Sequence, residues 1–439
     1  MSEVYMDRLK KRREDAANMW ETTSLSGVKI YPMRAAVQAM INQGYNMDAA
    51  LKLLQHAEKC YTDGNWDKLL VRISRINKEI HLALEAGKNI GPTTFSEMAA
   101  LLPQPPKGIP GMITDSEYLD RVKGGWVGKC IGTALGDPVE GWTSEMIRSR
   151  YGTVNSYLVP PKVENDDTAY PILVLHVLDE YGSSFTSEQL ALEWVEHLPY
   201  AFTAEMSALE NVKAGIMPPE SGRFRNPCSE WIGAQMRGEI HGLLTPFRPD
   251  LAAELAFRDA IISHRREGIY GEVFCAALIS IAFSDRSIED ILRLALAFVP
   301  PESRFSEVVE RTIRWCNKIG DWKGVLAKIQ QELGHYHWIH TFPNIATVVT
   351  GLLLGEGDFE KSLTTTLMCG FDTDCSTGQV GGLLGTILGY ERIPDKWKGP
   401  VGQEFESYVI GFEKMSFAKL SQWTAERGKQ IVGPIIRSA

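Results

Sequence analysis

The chain has 439 residues, 44% of them hydrophobic and 23% charged, the make-up of an ordinary folded protein, which excludes a disordered or fibrous design. Its net charge of −9, with no long basic run, argues against a nucleic-acid binder. No apolar stretch reaches the roughly 18–20 residues of a membrane span, and the opening MSEVYMDRLKKRRED is charged where a signal peptide needs an apolar core, so a cytoplasmic protein with no membrane partner is expected.

Residues 4–100 read as short amphipathic helices, as in NMDAALKLLQHAEKC, where Ala49, Leu53 and Ala57 share a face. No cluster of reactive side chains lies there. PQPPKGIPG at 103–111 resists helix and strand alike and reads as a linker. An accessory helical region over 1–112 and a main domain over 113–439 are therefore expected. In the main domain, apolar residues recur at helical spacing over 119–135, 168–182, 186–197, 250–264, 271–284, 287–299, 305–319, 341–354, 358–369 and 376–389. No strand-like alternation of similar length interrupts them, which predicts an all-α fold with loops converging on one face. Seven cysteines without a C-x-x-C pair predict reduced thiols rather than a disulfide framework or zinc knuckle.

Four stretches stand out in chain order. GGWVGKCIGTALGDPVEGW at 124–142 is a glycine-studded helix, with Gly124, Gly128 and Gly132 at i, i+4 spacing, running into a loop that holds Glu140. ENDDTAYPILVLHVLDEYG at 164–182 sets Asn165, Asp166, Asp167 and Thr168 ahead of an apolar run. One such residue suffices to cap a helix, and adjacent carboxylates repel unless a cation or proton lies between them. NPCSEWIGAQMRGEIHG at 226–242 starts as a loop, becomes a helix and reads as core. CGFDTDCSTGQVGGLLGTILGY at 369–390 places Asp372 and Asp374 before a helix whose Gly378, Gly382, Gly385 and Gly389 form one stripe. Glycine in a helix costs about 0.5–1 kcal/mol relative to alanine, so a close backbone approach must offset it. Two acidic clusters at the starts of two packed helices can hold one or two hard divalent cations such as Mg²⁺. HYHWIHTFPN at 335–344 has no i, i+4 histidine pair and no neighbouring acid, which disfavours a transition-metal site.

Together, GTALGDPVEGW, NDDT, IGAQMR, ISHRREGIYGEVF and GFDTDCS resemble the motifs of the ADP-ribosylglycohydrolase family, in family order, over roughly residues 118–400. The resemblance implies an ADP-ribosylglycohydrolase-like helical bundle that hydrolyses a ribosyl linkage through an oxocarbenium-like transition state. It implies Mg²⁺ as cofactor, one or two ions, with Mn²⁺ able to substitute, and no organic cofactor. Asp166, Asp167, Asp372 and Asp374 inherit ligand roles; Asn165 stands where the family has a threonine ligand and keeps an oxygen donor. Asp166 or Asp167 is expected to orient or deprotonate the attacking water. Glu140 takes the acidic gate position, as acid/base or metal-responsive gate. Gly233, Ala234 and His264 are expected in the substrate cleft. For His340 two accounts stay open: a satisfied structural histidine, or a residue facing the cleft ahead of Asn344. Cys375 replaces the late threonine ligand with a soft thiol, and Ser376 offers a hydroxyl one residue on. The implied substrate is ADP-ribosylated; a small riboside or nucleoside-like metabolite, or a metal-binding pseudoenzyme, are the alternatives.

Overall fold

A computed structural model describes residues 3–20, 22–23, 29–30, 32–87, 91–104 and 107–437. Pro105 and Pro106 of the expected linker lie outside the described residues. The N-terminal part consists of α1 (Glu3–Trp20), α2 (Pro32–Asn42), α3 (Asp48–Thr62), α4 (Trp66–Ala86) and the short α5 (Phe95–Ala99). Helices α1–α4 close around a core of their own that includes Trp20, Met40, Leu54, Leu69, Ile73 and Ile76. Polar side chains of α2 and the residue after it fasten this group to the main body. Gln38 Nε2 and Asn42 Nδ2 donate to the His335 carbonyl (3.0 and 3.2 Å), and Gln43 Nε2 donates to that of Pro227 (2.6 Å).

The main body runs through α6 (Asp115–Gly136), α7 (Ser144–Tyr151), α8 (Asp166–Tyr181), α9 (Ser187–His197), α10 (Thr203–Lys213), α11 (Glu239–Leu244) and α12 (Pro249–Ala260). It continues through α13 (Glu267–Ala282), α14 (Ile288–Leu296), α15 (Arg304–Ile319), α16 (Trp322–Leu333), α17 (Thr341–Leu354), α18 (Phe359–Cys369), α19 (Thr373–Leu388), α20 (Asp395–Val401) and α21 (Phe417–Val432). Among the described residues, strand pairing is limited to three short two-stranded pairs, one of which joins Ile113–Thr114 in parallel to Ile436–Arg437. The fold is thus all-α, as the spacing predicts. Helix α13 is buried on every face, which an apolar sequence without a polar stripe requires. All seven cysteines are free thiols, and no described helix is long and apolar enough to cross a membrane.

Helices α6 and α19 make the most extensive helix–helix contact and run antiparallel. A Cβ on Gly124, Gly128, Gly132 or Gly136 would lie 2.0–2.2 Å from the carbonyl oxygens of Gly385, Gly381, Thr377 and Thr373 respectively. Backbones this close leave no space for a methyl group, which is the gain that offsets the helix-propensity cost of glycine. Two hydroxyls bond across the seam: Thr377 Oγ1 to the Gly132 carbonyl (2.6 Å) and Thr373 Oγ1 to that of Gly136 (2.8 Å). The expected stripe on α19 is corrected accordingly: the seam uses Thr373, Thr377, Gly381 and Gly385. Gly378 faces the Thr133 methyl, Gly382 faces Glu239, and Gly389 closes the helix at φ +79° against Asp120. Residues four apart form one ridge of a helix, and it is this ridge that packs on α6; of the expected stripe only Gly385 lies on it.

Helices α7, α10, α16, α20 and α21 lie outside the segments where helical spacing is expected. The buried face of α21, for instance, is Phe417, Leu420, Ser421, Thr424, Ala425 and Gly428. Small and hydroxyl side chains there suit close packing on α6 and hide the helix from an apolar count.

Candidate metal centre

Antiparallel pairing of α6 with α19 puts the C-terminal end of the first beside the N-terminal end of the second. The chain leaves α6 through a tight turn at Asp137–Val139 and reaches Glu140. A clasp then ties this loop to the approach of α19: Gly141 N donates to Phe371 O (2.8 Å) and Phe371 N to Trp142 O (3.1 Å). Gly370 and Phe371 adopt φ of +78° and +70°. For phenylalanine that left-handed conformation is uncommon and strained. The kink delivers Asp372 to the helix start, and the Asp372 N–H donates to Asn344 Oδ1 (3.0 Å). Asp372 occupies the N-cap position of α19 without capping it, so its carboxylate is left for other work.

The N-terminus of α8 arrives opposite. Asn165 is its N-cap, accepting from the Asp167 N–H through Oδ1 (2.8 Å), while its Nδ2 donates across the gap to Asp374 Oδ2 (3.2 Å). Two tight groups of donor atoms share Asp374: Asp167 with Asp374 and Cys375, and Glu140 with Asp372 and Asp374, each set lying within 4.8 Å. Both oxygens of Asp167 and Oδ1 of Asp372 are buried without a hydrogen-bond partner. Buried polar atoms are almost always satisfied, so hard anionic oxygens left bare and crowded fit a divalent cation held by oxygen.

The proton affinities record the same crowding. Burial raises the carboxyl pKa of Glu140, Asp167 and Asp372, and the Asp374 carboxylate pushes each further up. Asp166, which stays partly open to the cavity, is raised by burial and by Asp374 to about 7, and Asp137 for the same two reasons to about 6. One buried cation offsets part of the charge: Lys129, on α6, lies 2.7 Å from Glu239 Oε2 and 3.7 Å from Asp167 Oδ1. Burial works against its charge, but Glu239 and Asp167 prevail and keep it protonated.

Acids whose folded pKa is raised stabilise the fold fully below the unfolded value, and that stability is lost as pH rises through the folded value. For Asp166 the window runs from about 4 to about 7. Buried neutral His264 and His340, whose pKa values are lowered first of all by burial, act in the opposite sense, so the difference with and without cation isolates the cluster. The expected result is that Mg²⁺ raises the melting temperature of metal-stripped protein more at about pH 8 than at about pH 5. Scanning calorimetry at both pH values checks it; an equal or reversed effect would contradict it.

The cluster floors a cavity of about 440 Å³ lined by Glu140, Asn165, Asp166, Glu205, Gly233, Met236, Ile339, Asp372, Asp374 and Cys375, among others. That volume suits a small-molecule site. Of the expected site residues, Glu140, Asn165, Asp166, Asp372, Asp374 and Gly233 reach the cavity, and Asp167 lies just behind it against Lys129. Gly233 sits where a Cβ would meet the Glu205 carboxylate at 2.1 Å. Ala234, His264 and His340 are not among the lining residues. The Ala234 N–H donates to His264 Nε2 (3.3 Å), and the other ring nitrogen of His264 meets Ser263 Oγ at 2.7 Å. His340 caps α17 by accepting from the Phe342 N–H (3.2 Å). Both rings are fully buried. Cys375 reaches the cavity, and burial, then Asp167, raises its thiol pKa. Ser376 is fully buried and donates its hydroxyl to the Asp372 carbonyl (2.6 Å).

Lys129, Asp137 and Glu205 complete the site and lie outside the residues expected from sequence. Glu205, on α10, accepts from Arg237 Nη1 (2.7 Å), whose guanidinium also meets Asp259. A lone acid in TAEMSALENVK gives no local sign that a buried arginine will hold it at a cavity wall. Lys129 did carry a signal: a lysine on the glycine side of a tightly packed helix is buried, and a buried lysine needs acids.

A mostly helical body sets two acidic helix starts against each other under a cavity, a candidate metal centre. The chain belongs to the ADP-ribosylglycohydrolase family, whose sequence signature matches residues 114–426. Over 293 residues it is 27% identical to an uncharacterized protein of Archaeoglobus fulgidus, spanning 64% of this chain and 91% of that one. A solved structure described as an ADP-ribosylglycohydrolase-related protein complex superposes with a TM-score of 0.51 at 21% identity, covering 72% of this chain and 99% of that chain. This likeness speaks to the fold alone. The helices α1–α5 precede the matched segment.

Proposed function

We propose that this protein is a divalent-metal-dependent glycohydrolase that cleaves a ribosyl N- or O-glycosidic bond of an ADP-ribosylated substrate. The observation that carries the reading is the meeting of Asp166, Asp372 and Asp374 at one cavity floor with Asp167 just behind them, and buried carboxylate oxygens lacking any donor. Asp166, Asp167, Asp372 and Asp374 would hold the cation, a hard Mg²⁺ or Mn²⁺ by the chemistry of the donors. Asn165 would add its side chain only by giving up its cap. When bound, the cation supplies a template for the ribose hydroxyls and lowers the pKa of the attacking water.

The chain's own groups do the rest. Asp166, partly open to the cavity, takes the proton of the water as its oxygen bonds to the anomeric carbon. Glu140, held at the cavity by the Gly141–Phe371 clasp, supplies a proton to the departing atom as the glycosidic bond breaks. Asp167 lies too deep for that exchange and serves as ligand and as counter-charge to Lys129. Phe202, Ile232, Met236 and Ile339 supply the apolar walls.

Metal-stripped protein should be inert and recover on addition of Mg²⁺ or Mn²⁺. Release of ADP-ribose from ADP-ribosyl-arginine and ADP-ribosyl-serine, and of ribose from simple ribosides, reads this directly and sorts the substrate class. Turnover of ribosides alone would move the assignment to a small-metabolite hydrolase. No turnover of any of them with cation bound would overturn the catalytic reading in favour of a metal-binding protein.

A further inference from the structure

Ten residues along α8 from Asp166, His176 meets Glu193 and His197, which lie one turn apart on α9 and therefore side by side. A single oxygen, Glu193 Oε2, is 2.5 Å from His176 Nδ1 and 3.5 Å from His197 Nε2. All three donor atoms fall within 4.8 Å of one another. We propose that His176, Glu193 and His197 form a binding site for a transition-metal dication of the Zn²⁺ type, separate from the carboxylate centre.

The proton on His197 decides the matter. Its Nδ1 lies 2.9 Å from the Ile410 carbonyl, and a carbonyl only accepts, so Nδ1 carries the hydrogen. In the neutral ring Nε2 is then a bare lone pair, and it is buried without a hydrogen-bond partner. It faces a carboxylate oxygen, also a lone-pair atom. His176 can satisfy Glu193 by donating a proton, but that leaves His197 Nε2 unmet unless the ring takes a second proton or a cation binds. A cation bonded to all three satisfies every atom. An imidazole that donates one N–H to a backbone carbonyl while presenting its other nitrogen is the usual support of a metal-bound histidine.

The surroundings suit such a site. Phe412 packs edge-on against both imidazoles, with ring centroids 5.2 and 5.5 Å away, and the rings themselves are 5.0 Å apart. Glu193 is almost fully buried, whereas His176 keeps a quarter of its side chain in solvent, which gives an ion a way in. Two imidazoles and one carboxylate prefer Zn²⁺, Co²⁺ or Ni²⁺ to Mg²⁺ and leave a fourth position for water. Ten residues of helix separate His176 from Asp166, roughly 15 Å at 1.5 Å per residue, so the two centres share no ligand. A cation here would pin α8 and α9 to the 407–413 loop.

The test uses the full chain, metal-stripped and then held in excess Mg²⁺ so that the carboxylates are occupied. Titration with Zn²⁺ or Co²⁺ should show one further equivalent bound. His197→Gln and Glu193→Gln should each weaken that binding at least tenfold while leaving Mg²⁺ affinity and the circular-dichroism spectrum unchanged. X-ray absorption of the zinc-loaded wild type needs no variant: two imidazole shells at about 2.0 Å are expected. An oxygen-only shell, or uptake that Mg²⁺ competes away, would overturn the proposal and leave the cluster an ion pair sharing a proton.

Discussion

Replacing Asp374 with asparagine should cost turnover roughly a thousandfold or more, since a cation held at a reacting centre supplies several kcal/mol and each 1.36 kcal/mol is a factor of ten. Asp374 belongs to both carboxylate groups, so one substitution weakens both. The fold should survive it. An asparagine side chain keeps an oxygen to accept from the Cys375 N–H or the Asn165 amide, the two bonds Asp374 makes now. Removing the shared charge also relieves Glu140, Asp166, Asp167 and Asp372, each of which Asp374 raises in pKa. The metal-stripped variant should therefore melt a few degrees higher than metal-stripped wild type at about pH 8. Lost activity together with gained stability separates a missing ligand from a damaged fold, and calorimetry beside the glycohydrolase assay reads both. A variant that is both inactive and less stable would point to a purely structural aspartate.

The second large effect is expected at Gly128. An added Cβ would sit 2.1 Å from the Gly381 carbonyl oxygen, and a backbone atom in the centre of a buried helix cannot step aside as a side-chain tip can. Overpacking of this kind costs about 1–3 kcal/mol, and more where backbone must move. Gly128→Ala should fall at the upper end, and Gly128→Val should prevent assembly of the α6–α19 pair. Because Glu140 follows α6 and Asp372 precedes α19, separating the pair should also weaken cation binding in any Gly128→Ala protein that folds. Gly399→Ala serves as the control, since nothing lies within 4 Å of the added atom there. Equal melting temperatures for the two alanine variants would show that the seam tolerates a methyl group and that the glycines are not needed for approach.

The helices that sequence shows plainly are those with long apolar stretches, α6, α8, α13, α17 and α19 among them, and the acidic clusters show because each places more carboxylates together than a cap requires. What local sequence cannot carry is the partner across the gap. The glycines of α6 were recognisable as a close-approach face, but the matching face on α19 depends on register, and two of its four positions are threonines that bond across the seam. Glu205 reaches the cavity only because a buried Arg237, 32 residues away, holds it there. Ala234 and His264 belong to motif-bearing stretches, yet they bond to each other one layer behind the wall. His340 is spent on capping α17, while Asn344 positions the Asp372 backbone instead. Cysteine at 375 is legible as a departure from the family pattern, and its burial explains why a thiol is tolerated beside four carboxylates: it stays protonated and adds no further charge.

Isothermal titration of Mg²⁺ into metal-stripped wild type and Asp374→Asn tests directly whether the paired acidic helix starts bind a cation. Wild type should bind one or two ions, with affinity falling as pH drops and the carboxylates take up protons, and Asp374→Asn should show weakened binding or none. Identical isotherms for the two proteins would mean that the carboxylates of α8 and α19 do not hold the ion, and the proposed chemistry would fall with them.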